Sequence, residues 1–450
     1  MYTPRSNTAL VDKPGNSETR HLRILLDCTE TVRLRANTGI QRTVRSIADI
    51  AINLDEPSFT CLPIVFDGNS FVHLEVDALP GPIKADEARV PLRERLRRWV
   101  TTGSRVAALR ASLLHPEVLR RVRQAVSRLS WSARSLRRSR KPAPKKIEYS
   151  ASDWIVLLDS NWGPDLRPEL TRAKDAGARV CVLIYDLIQI RHPELVSPGA
   201  GEIYQRWFER TIPFANRIVT ISRAVRDDVV RYLQQSRLRA PSADRIGWFH
   251  LGSDFDPATH QGSPSARMLE IFGEGFSPTF LVVGTLEQRK SQATVLDAFE
   301  RRWNAGDPAR LIIVGREGWG SHALTRRLRL HGELGKRLIW LEHADDADLE
   351  ACYRHAAGLI IASTQEGFGL PIVEALQRGI PVIASDIPVF REVGGDDVNY
   401  FAPGDVDALA SAIASADRHR LQWPTSGRLR AQSWHESTMA LIAQLQDVDQ

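Results

Sequence analysis

Two glutamates flank a glycine-containing loop in the stretch EGFGLPIVEAL, which runs from Glu366 to Leu376. The loop follows the apolar run GLIIAS, typical of a buried strand, and precedes a helical pattern in which Pro371 suits the first turn. Glycine lets the backbone approach a ligand closely, and the first N–H groups of a helix have no partner inside it. The loop is therefore suited to a phosphate or diphosphate, and Glu366 and Glu374 are suited to accept hydrogen bonds from hydroxyl groups on either side.

Each glutamate taken singly has a structural alternative. Glu366 would then cap a turn, and Glu374 would be a solvated residue of the helix. The combination of a strand, an E-G-x-G-x-P-x-x-E segment and a helix favours a functional site over that alternative.

A pair of cations, Arg289 and Lys290, occupies a similar position in VVGTLEQRKSQATVLDAF. They follow an apolar run that ends at Gly284 and precede a helical pattern that starts near Ser291. Two adjacent cations at such a turn are suited to hold the diphosphate of a leaving group. The alternative is a solvated pair of surface cations, and the residues alone leave both interpretations open.

The elements that must position these residues form a regular series in the second half of the chain. Apolar runs alternate there with helical stretches, as in parallel α/β domains. The runs end at Gly284, Gly315, Glu342, Ser363 and Ser385. The first half repeats the pattern less regularly, and a Ser-, Pro- and Gly-rich stretch separates the halves. The sequence thus predicts two Rossmann-like, doubly wound α/β domains that face each other across a ligand-binding crevice.

The composition is that of a soluble globular protein, since 43% of the 450 residues are apolar and 25% are charged. The four cysteines lie far apart without a C-x-x-C pair, which indicates a reducing compartment rather than a disulfide framework or a zinc site. The N-terminal stretch lacks the apolar core of a signal peptide, and the apolar runs are too short to span a bilayer. We expect a cytoplasmic protein.

One block of the chain is strongly basic. Between Val90 and Ile147 there are 17 Lys or Arg residues and two acidic ones, Glu94 and Glu117, whereas the net charge of the whole chain is +6. Apolar residues repeat at helical spacing inside the block, which predicts amphipathic helices. Such helices could bind anionic lipid headgroups, or they could pack on the body with their arginines solvated. Nucleic-acid binding is disfavoured because no recognised motif accompanies the charge.

The second half resembles a known family over residues 279–416. The segments VGTLEQRKSQATVLDAF, ADLEACYRHAAGLIIASTQEGFGLPIVEALQRGIPVIASDIPVFREV and DVDALASAI are similar to retaining family-four glycosyltransferases of the GT-B architecture. In that family two glutamates eight residues apart form the E-x7-E element. The resemblance implies that Glu366 contacts the donor sugar, that Glu374 contacts the nucleotide ribose, and that Arg289 and Lys290 hold the diphosphate. The further donor-binding residues that it implies on this side are Gly284, Gly367, Phe368, Gly369 and Leu370. The nucleobase would lie near Gly315 and His343.

The first half matches the same family less strongly, through LDCTETVRLRANTGIQRTVRSI and IYDLIQIRHPEL. The first segment resembles bacterial members that transfer mannose or related sugars to polysaccharide precursors, and it implies that Gly39 and Arg42 lie near the donor phosphates. The second segment departs from the family, because Tyr185 stands where many relatives have a histidine. We assign the missing contact to Asp186, as a fourth catalytic residue beside Arg289, Lys290 and Glu366. His192 is another candidate, for which a surface position is the preferred interpretation.

Structural alternatives also stand for these residues. Gly39 could mark an ordinary turn between a strand and a helix, and Asp186 could cap a helix. Ser222, in TISRAVRDDV, is expected to be a helix cap rather than a ligand. The triplet Asp254–Asp256 has the D-x-D spacing of metal-dependent sugar transferases of another fold, but it lies between the two halves and we assign it to a turn. We expect no metal.

The resemblance also sets the expected segments. They are a flexible N-terminus at 1–20, a Rossmann-like acceptor domain at 21–245 with a basic helical insertion at 91–146, a Rossmann-like nucleotide-sugar-binding domain at 246–425, and a C-terminal helix at 426–450 that packs back on the first domain.

The implied function is a retaining, metal-independent hexosyltransferase of bacterial surface polysaccharide synthesis. We favour GDP-mannose as the donor and a glycan or polyprenyl-diphosphate-linked glycan as the acceptor, with a UDP-sugar or another nucleotide sugar as the alternative donor. The basic residues 92–146 would hold the enzyme at the inner face of the cytoplasmic membrane. A phosphorylase or an epimerase of the same fold is a further alternative, and so is a nucleic-acid- or membrane-binding protein that acts through the basic block.

Overall fold

The computed structural model describes residues 21–34, 38–75, 145–253, 264–273, 277–418 and 432–446. The flexible segment expected at 1–20, the basic insertion up to residue 144 and the triplet Asp254–Asp256 lie outside these residues. Among the helices that the structure describes, none is both long enough and apolar enough to cross a lipid bilayer.

Seven strands form the first sheet, in the order β3-β2-β1-β4-β5-β6-β7. They are β1 (Leu22–Asp27), β2 (Phe59–Phe66), β3 (Phe71–His73), β4 (Asp153–Leu157), β5 (Arg179–Ile184), β6 (Arg217–Thr220) and β7 (Ile246–Trp248). Neighbouring strands pair in parallel, except for the antiparallel pair of β2 and β3. All five residues of β4 are buried, because helices cover both faces of a parallel sheet. The strand order reverses between β1 and β4, and we call the carboxyl ends of these two strands the first switch point.

Within the described residues, six helices accompany this sheet: α1 (Thr29–Leu34), α2 (Gly39–Ile52), α3 (Arg167–Asp175), α4 (Ile188–Arg191), α5 (Ala200–Thr211) and α6 (Arg223–Gln235). Helix α2 buries Val44, Ile47 and Ala51 on one face, at the spacing of an amphipathic helix. Helix α6 begins after Ser222, whose side chain accepts a hydrogen bond from the backbone N–H of Val225 at 3.2 Å. The cap expected of Ser222 is thereby confirmed.

Six strands form the second sheet, in the order β10-β9-β8-β11-β12-β13, and all of them pair in parallel. They are β8 (Thr279–Val283), β9 (Arg310–Val314), β10 (Leu338–Leu341), β11 (Gly358–Ile361), β12 (Val382–Ser385) and β13 (Val398–Phe401). The helices of this half are α7 (Ala266–Ile271), α8 (Gln292–Asn304), α9 (His322–Leu330), α10 (Asp346–His355), α11 (Leu370–Gln377), α12 (Pro388–Gly394) and α13 (Val406–Arg418). The strand order reverses between β8 and β11, whose carboxyl ends we call the second switch point.

The first domain is larger than the sequence predicts. Strand β7 begins at Ile246, the residue at which the second domain was expected to start, yet it pairs with β6 of the first sheet. The boundary expected at 245 is therefore too early, and the first sheet continues to Trp248. The last helix, α14 (Trp434–Gln446), packs against α2, β6 and β7. On α14, Ser437 donates a hydrogen bond to the carbonyl oxygen of His250 at 2.8 Å.

The two domains contact each other at the start of α6. Glu392, on α12, accepts hydrogen bonds from the backbone N–H groups of Arg223 and Ala224, each at 2.7 Å. The same carboxylate lies 2.7 Å from His250 Nε2. Burial by itself would raise the pKa of Glu392, but the contacts with His250 and the two N–H groups outweigh it and lower the pKa. A carboxylate at a helix N-terminus is a favourable electrostatic arrangement, so this contact ties α12 of the second domain to α6 of the first.

Candidate functional site

The turn after β8 places the two expected cations. Residues Gln288–Lys290 form one turn of 3-10 helix, and Ser291 follows with a φ of +48°, in the left-handed region, before α8 begins. The Lys290 side chain folds back over Gly284, where an added Cβ would lie 3.4 Å from Lys290 Nζ. Glycine at position 284 therefore leaves room for the Lys290 ammonium group at the second switch point.

Glu366 forms ion pairs with both cations. Lys290 Nζ lies 2.7 Å from Glu366 Oε1, and Arg289 Nη1 lies 2.9 Å from Glu366 Oε2. Ser363 donates a further hydrogen bond to Glu366 Oε1 at 3.0 Å. Burial raises the pKa of Glu366, but the charges of Arg289 and Lys290 outweigh burial and hold the pKa at about 2. The carboxylate is therefore ionised at neutral pH, and it fixes the positions of both cations.

Arg289 takes part in a wider network. Its Nε donates to Glu287 Oε2 at 2.9 Å, and its Nη1 also donates to the carbonyl oxygen of Gln365 at 3.1 Å. Burial lowers the pKa of Arg289, but the carboxylates of Glu366, Glu287 and Asp186 raise it by more than burial lowers it. The pKa of Arg289 therefore lies above its ordinary value. Arg289 therefore stays charged in this partly buried position.

The loop between β11 and α11 lies close to the first domain. An added Cβ at Gly367 would stand 2.3 Å from the carbonyl oxygen of Tyr185, so only glycine fits this approach. The carbonyl oxygen of Gly367 accepts a hydrogen bond from Ser222 Oγ at 3.0 Å. Gly369 precedes α11 with a φ of +103°, and Leu370 is the first residue of that helix. Phe368 is buried against the His250 ring, at 5.5 Å between ring centroids.

Glu374, one turn into α11, is bound from both domains. Its Oε2 accepts a hydrogen bond from the Tyr353 hydroxyl at 2.7 Å, and its Oε1 forms an ion pair with Arg42 Nη1 at 2.5 Å. The charge of Glu374 is the largest cause of the raised pKa of Arg42. Arg42 lies on α2 of the first domain, and the structure thus places it against Glu374 rather than against Arg289 and Lys290. Gly39 is the first residue of α2, and an added Cβ there would meet nothing within 4 Å.

Asp186 follows β5 and faces the cations from the first domain. Its carboxylate accepts the backbone N–H of Ile188 at 3.0 Å, which is the capping role named as the alternative. Burial raises the pKa of Asp186, and the charge of Arg289 across the crevice partly offsets this rise. The structure therefore brings Asp186 near Arg289 and Glu366. Tyr185, by contrast, is a core residue whose hydroxyl donates to the carbonyl oxygen of Leu158 at 2.8 Å.

Among the other candidates, Gly315 lies beside this group, whereas His192 does not belong to it. His192 lies 3.2 Å from Glu194 at the surface, in agreement with its structural interpretation. Gly315 packs on Gly284, since an added Cβ would lie 2.0 Å from the Gly284 carbonyl oxygen. His343 is exposed near the end of β10. Within the described residues no three His, Cys, Asp or Glu side chains form a group that could hold a metal ion, and a metal-free reaction stays a prediction.

The first switch point carries acids of a different kind. Asp27 accepts the backbone N–H of Thr29 at 3.0 Å, and Asp159 accepts the backbone N–H of Thr31 at 2.6 Å. Burial raises the pKa of Asp27 to about 7, and the nearby charge of Asp159 adds to the rise. Burial also raises the pKa of Asp159. Among the residues that the structure describes, neither carboxylate has a cationic partner.

The second domain carries a recognisable sequence family. Residues 272–422 match the family described as "Glycosyl transferases group 1". This segment includes Arg289, Lys290, Glu366 and Glu374, the four charged residues assembled at or beside the second switch point. Residues 272–422 form a group 1 glycosyltransferase domain.

Similar proteins agree with that assignment. The chain is 32% identical to "Serotype-specific mannosyltransferase WbdA" of Escherichia coli over 316 residues, which are 67% of this chain and 38% of that protein. It is 27% identical to "O-antigen chain mannosyltransferase B" of Escherichia coli over 241 residues, 52% of this chain and 60% of that protein. The chain thus spans less than two thirds of the length of either relative.

A solved structure confirms the fold class. The structure of HepE from Anabaena, in complex with UDP and glucose, superposes with a TM-score of 0.56 at 15% sequence identity, over 95% of this chain and 100% of that chain. The likeness supports the fold: two Rossmann-like α/β domains, of which the second is the group 1 domain.

Three contacts, two from the group 1 domain and one within the first domain, were not predicted from the sequence. Tyr353 contacts Glu374, Glu392 contacts the start of α6, and Asp27 lies near Asp159. The two aspartates had a signal, because each follows an apolar run, LRILLD or DWIVLLD, at the end of a strand. Tyr353 and Glu392 had none, since both lie within helices and their partners are distant in sequence.

Proposed function

We propose that the chain is a retaining glycosyltransferase that moves a hexose from a nucleotide sugar to a glycan acceptor. One observation carries the proposal: within the group 1 domain, Glu366 contacts both Arg289 and Lys290 at the second switch point. A ligand with a diphosphate beside sugar hydroxyls matches two cations beside an ionised carboxylate. The N–H groups at the start of α11 add further donors for phosphate oxygens.

The arrangement suggests how the donor is bound. Arg289 and Lys290 bind the diphosphate oxygens, which compete with Glu366 for the same cations. Glu366 keeps both cations directed into the crevice, and its remaining lone pairs accept hydrogen bonds from sugar hydroxyls. Glu374 accepts from the ribose, for which Arg42 must give way or share the carboxylate, because both oxygens of Glu374 already have partners.

Catalysis then rests on stabilising the leaving group. As the bond between the anomeric carbon and the phosphate oxygen breaks, negative charge grows on the departing nucleoside diphosphate, where Arg289 and Lys290 lie fixed by Glu366. The acceptor hydroxyl attacks the oxocarbenium-like carbon from the same face, and its proton passes to the released phosphate oxygen. The new bond keeps the anomeric configuration of the donor. Asp186, opposite Arg289, is placed to orient the acceptor or the cation.

We propose that the donor is GDP-mannose, that the transferred sugar is mannose, and that the product is a bacterial surface polysaccharide. The names of the two similar Escherichia coli proteins, a serotype-specific mannosyltransferase and an O-antigen chain mannosyltransferase, support this choice. A UDP-sugar or another nucleotide sugar is the alternative donor, since the contacts of Glu366 and Glu374 do not depend on the base.

Nucleotide binding and transfer test the proposal together. In a thermal-shift assay with GDP, UDP and ADP, we expect GDP to raise the midpoint of unfolding most. A ligand at a hundred times its Kd stabilises the folded state by about 2.7 kcal/mol. With GDP-mannose and an oligomannose acceptor, NMR should show a product with the donor's anomeric configuration. If no nucleoside diphosphate shifts the midpoint and no nucleotide sugar is consumed, the proposal is wrong.

Membrane association is a separate proposal. The charge of residues 92–146 supports binding of the protein to the inner face of the cytoplasmic membrane, where a polyprenyl-diphosphate-linked acceptor would lie. Flotation with vesicles that contain anionic lipid should carry the protein at low salt and release it at high salt. Absence of binding at low salt would remove this proposal and leave the transferase proposal intact.

A further inference from the structure

A concave site lies on the first domain, at the carboxyl end of β4 and beside α5. It is a cavity of about 100 Å³ that opens to solvent. Its apolar lining consists of Trp162, Ile203 and Trp207, and its polar rim consists of Asp165, Arg206 and Arg210. None of these residues belongs to the donor site described above.

The apolar lining is held in place by aromatic packing. Trp162 meets Tyr204 edge to face, with 4.7 Å between ring centroids and 90° between ring planes. Trp207 lies 5.3 Å from the same Tyr204 ring. Ile203 remains 48% exposed beside these rings, which is unusual for a large aliphatic side chain in a folded domain. A ligand with an apolar face would therefore find a rigid surface that is already formed.

The rim carries both signs of charge. Asp165 accepts hydrogen bonds from Arg167, with Nη2 to Oδ2 at 2.6 Å, and lies 3.7 Å from Arg210. The hydrogen bond from Arg167 is the main cause that lowers the pKa of Asp165 to about 2. An ionised carboxylate on the rim repels a phosphate, whereas it accepts hydrogen bonds from hydroxyls, and the neighbouring guanidinium groups donate to them. The rim can thus both accept hydrogen bonds from the hydroxyls of a polyol and donate hydrogen bonds to them.

The cavity is linked to the crevice through one side chain. Tyr204, which packs against Trp162, donates a hydrogen bond from its hydroxyl to the carbonyl oxygen of Asp186 at 2.9 Å. The Asp186 side chain in turn faces Arg289 of the donor site. Tyr204 thus joins the wall of the cavity to the backbone of Asp186, at the carboxyl edge of the first sheet.

We propose that this cavity is an acceptor subsite, which binds a pyranose ring of an uncharged glycan with its C–H face on Trp162 and Ile203 and its hydroxyls on Asp165 and Arg210. The proposal rests on the proposed glycosyltransferase function. It adds a ring-binding position away from the bond that is formed, and hence a preference for acceptors longer than one sugar.

Binding and kinetics of matched variants test it. Ile203→Asn and Arg210→Gln change exposed parts of the cavity, and Leu269→Asn is the control, since Leu269 is a 63% exposed aliphatic residue on α7 of the other domain. Saturation-transfer NMR with mannotriose, maltotriose and cellotriose should show binding of at least one trisaccharide to the wild type and to Leu269→Asn, and weaker binding to the two cavity variants. With the preferred acceptor, the acceptor KM should rise roughly three- to tenfold, while kcat and the donor KM stay unchanged.

Several outcomes would overturn the subsite. The first is that Ile203→Asn and Arg210→Gln bind all three trisaccharides as strongly as the wild type does. The second is that the wild type binds none of them. The third is that the wild type binds inorganic pyrophosphate and Arg210→Gln does not. The trisaccharide measurement needs no donor, and the GDP thermal shift needs no acceptor. Loss of the subsite with a retained nucleotide shift therefore leaves the proposed function standing. Absence of a shift with every nucleoside diphosphate counts against that function, while trisaccharide binding is still measured separately.

Discussion

The two switch points have the same topology and opposite electrostatics. At the second, Glu366 is held between Arg289 and Lys290, and its pKa stays at about 2 despite burial. At the first, Asp27 is buried beside Asp159, and burial raises its pKa to about 7. Strand order places acidic residues at both edges, but in the part of the chain that the structure describes only the carboxylate of the second edge is paired with cations. The second edge can therefore bind a polyanion.

This difference suggests that the two sides of the crevice bind different substrates. A nucleotide sugar brings several negative charges, which suit the edge with cations. A neutral glycan acceptor needs no cation, and among the described residues Asp27 and Asp159 have no cationic partner. The contrast can be tested at either edge and at the point where the two domains touch.

Removal of one cation from the second switch point should have the largest effect. Lys290→Met keeps the length of the apolar stem and deletes the charge that lies 2.7 Å from Glu366 Oε1. We expect kcat for transfer to fall by about a hundred- to a thousandfold, as for the loss of one preorganised group at a developing anion. Steady-state kinetics with the nucleotide sugar measures it, with Lys336→Met, an exposed lysine, as the control. Near-normal turnover of Lys290→Met would remove the role assigned to this edge.

An intermediate effect is expected where the two domains meet. Gly367→Ala would place a Cβ 2.3 Å from the Tyr185 carbonyl oxygen, so the loop or the first domain must move. Such overpacking typically costs about 1–3 kcal/mol, which corresponds to roughly a 5- to 150-fold loss in kcat/KM if the contact forms in the reactive state. Gly332→Ala is the matched control, because an added Cβ there meets nothing within 4 Å. Equal activity of both variants would show that the contact at Gly367 does not matter for transfer.

The smallest effect should come from the first switch point, as a change in the pH dependence of stability. In the folded protein Asp27 keeps its proton up to about pH 7, whereas an unfolded aspartate loses its proton near pH 4. The contribution of Asp27 to the free energy of unfolding therefore decreases as the pH rises between these two values. The slope is at most roughly 1.4 kcal/mol per pH unit. Asp27→Asn removes this term, so urea unfolding at pH 5 and pH 8 should differ less for the variant than for the wild type.

A variant at the other edge serves as the control for that measurement. Glu366→Gln should change stability by the same amount at pH 5 and pH 8, because the pKa of Glu366 lies well below this range in the folded state. Parallel pH dependence of Asp27→Asn and the wild type would contradict the raised pKa of Asp27.

The sequence predicted most of the second edge, because its parts are adjacent along the chain. The spacing of Glu366 and Glu374 reflects one loop and one helical turn, and the strand–turn–helix pattern placed Arg289 and Lys290 correctly at a strand end. Their contact with Glu366 was not predicted, although β8 and β11 are neighbouring parallel strands that end at a common edge. The division into two α/β domains was likewise confirmed.

Contacts between the domains were not predictable in this way. The ion pair of Arg42 with Glu374 joins residues 332 positions apart, and its geometry depends on how the two sheets face each other. Tyr185 occupies the position of the family's histidine in the sequence motif, but in the structure its ring lies in the core of the first domain. The placement of β7 in the first sheet was missed because IGW, at three residues, is too short to show a pattern.

Helix α14 has a consequence for motion. The polypeptide enters the second domain after Trp248 and returns to the first before Trp434, so two covalent connections join the halves instead of one. A second connection limits how far the two halves can move apart or rotate relative to each other. Loss of the last 17 residues would therefore uncover the apolar side of α2 and, at the same time, remove the second attachment of the group 1 domain to the first domain.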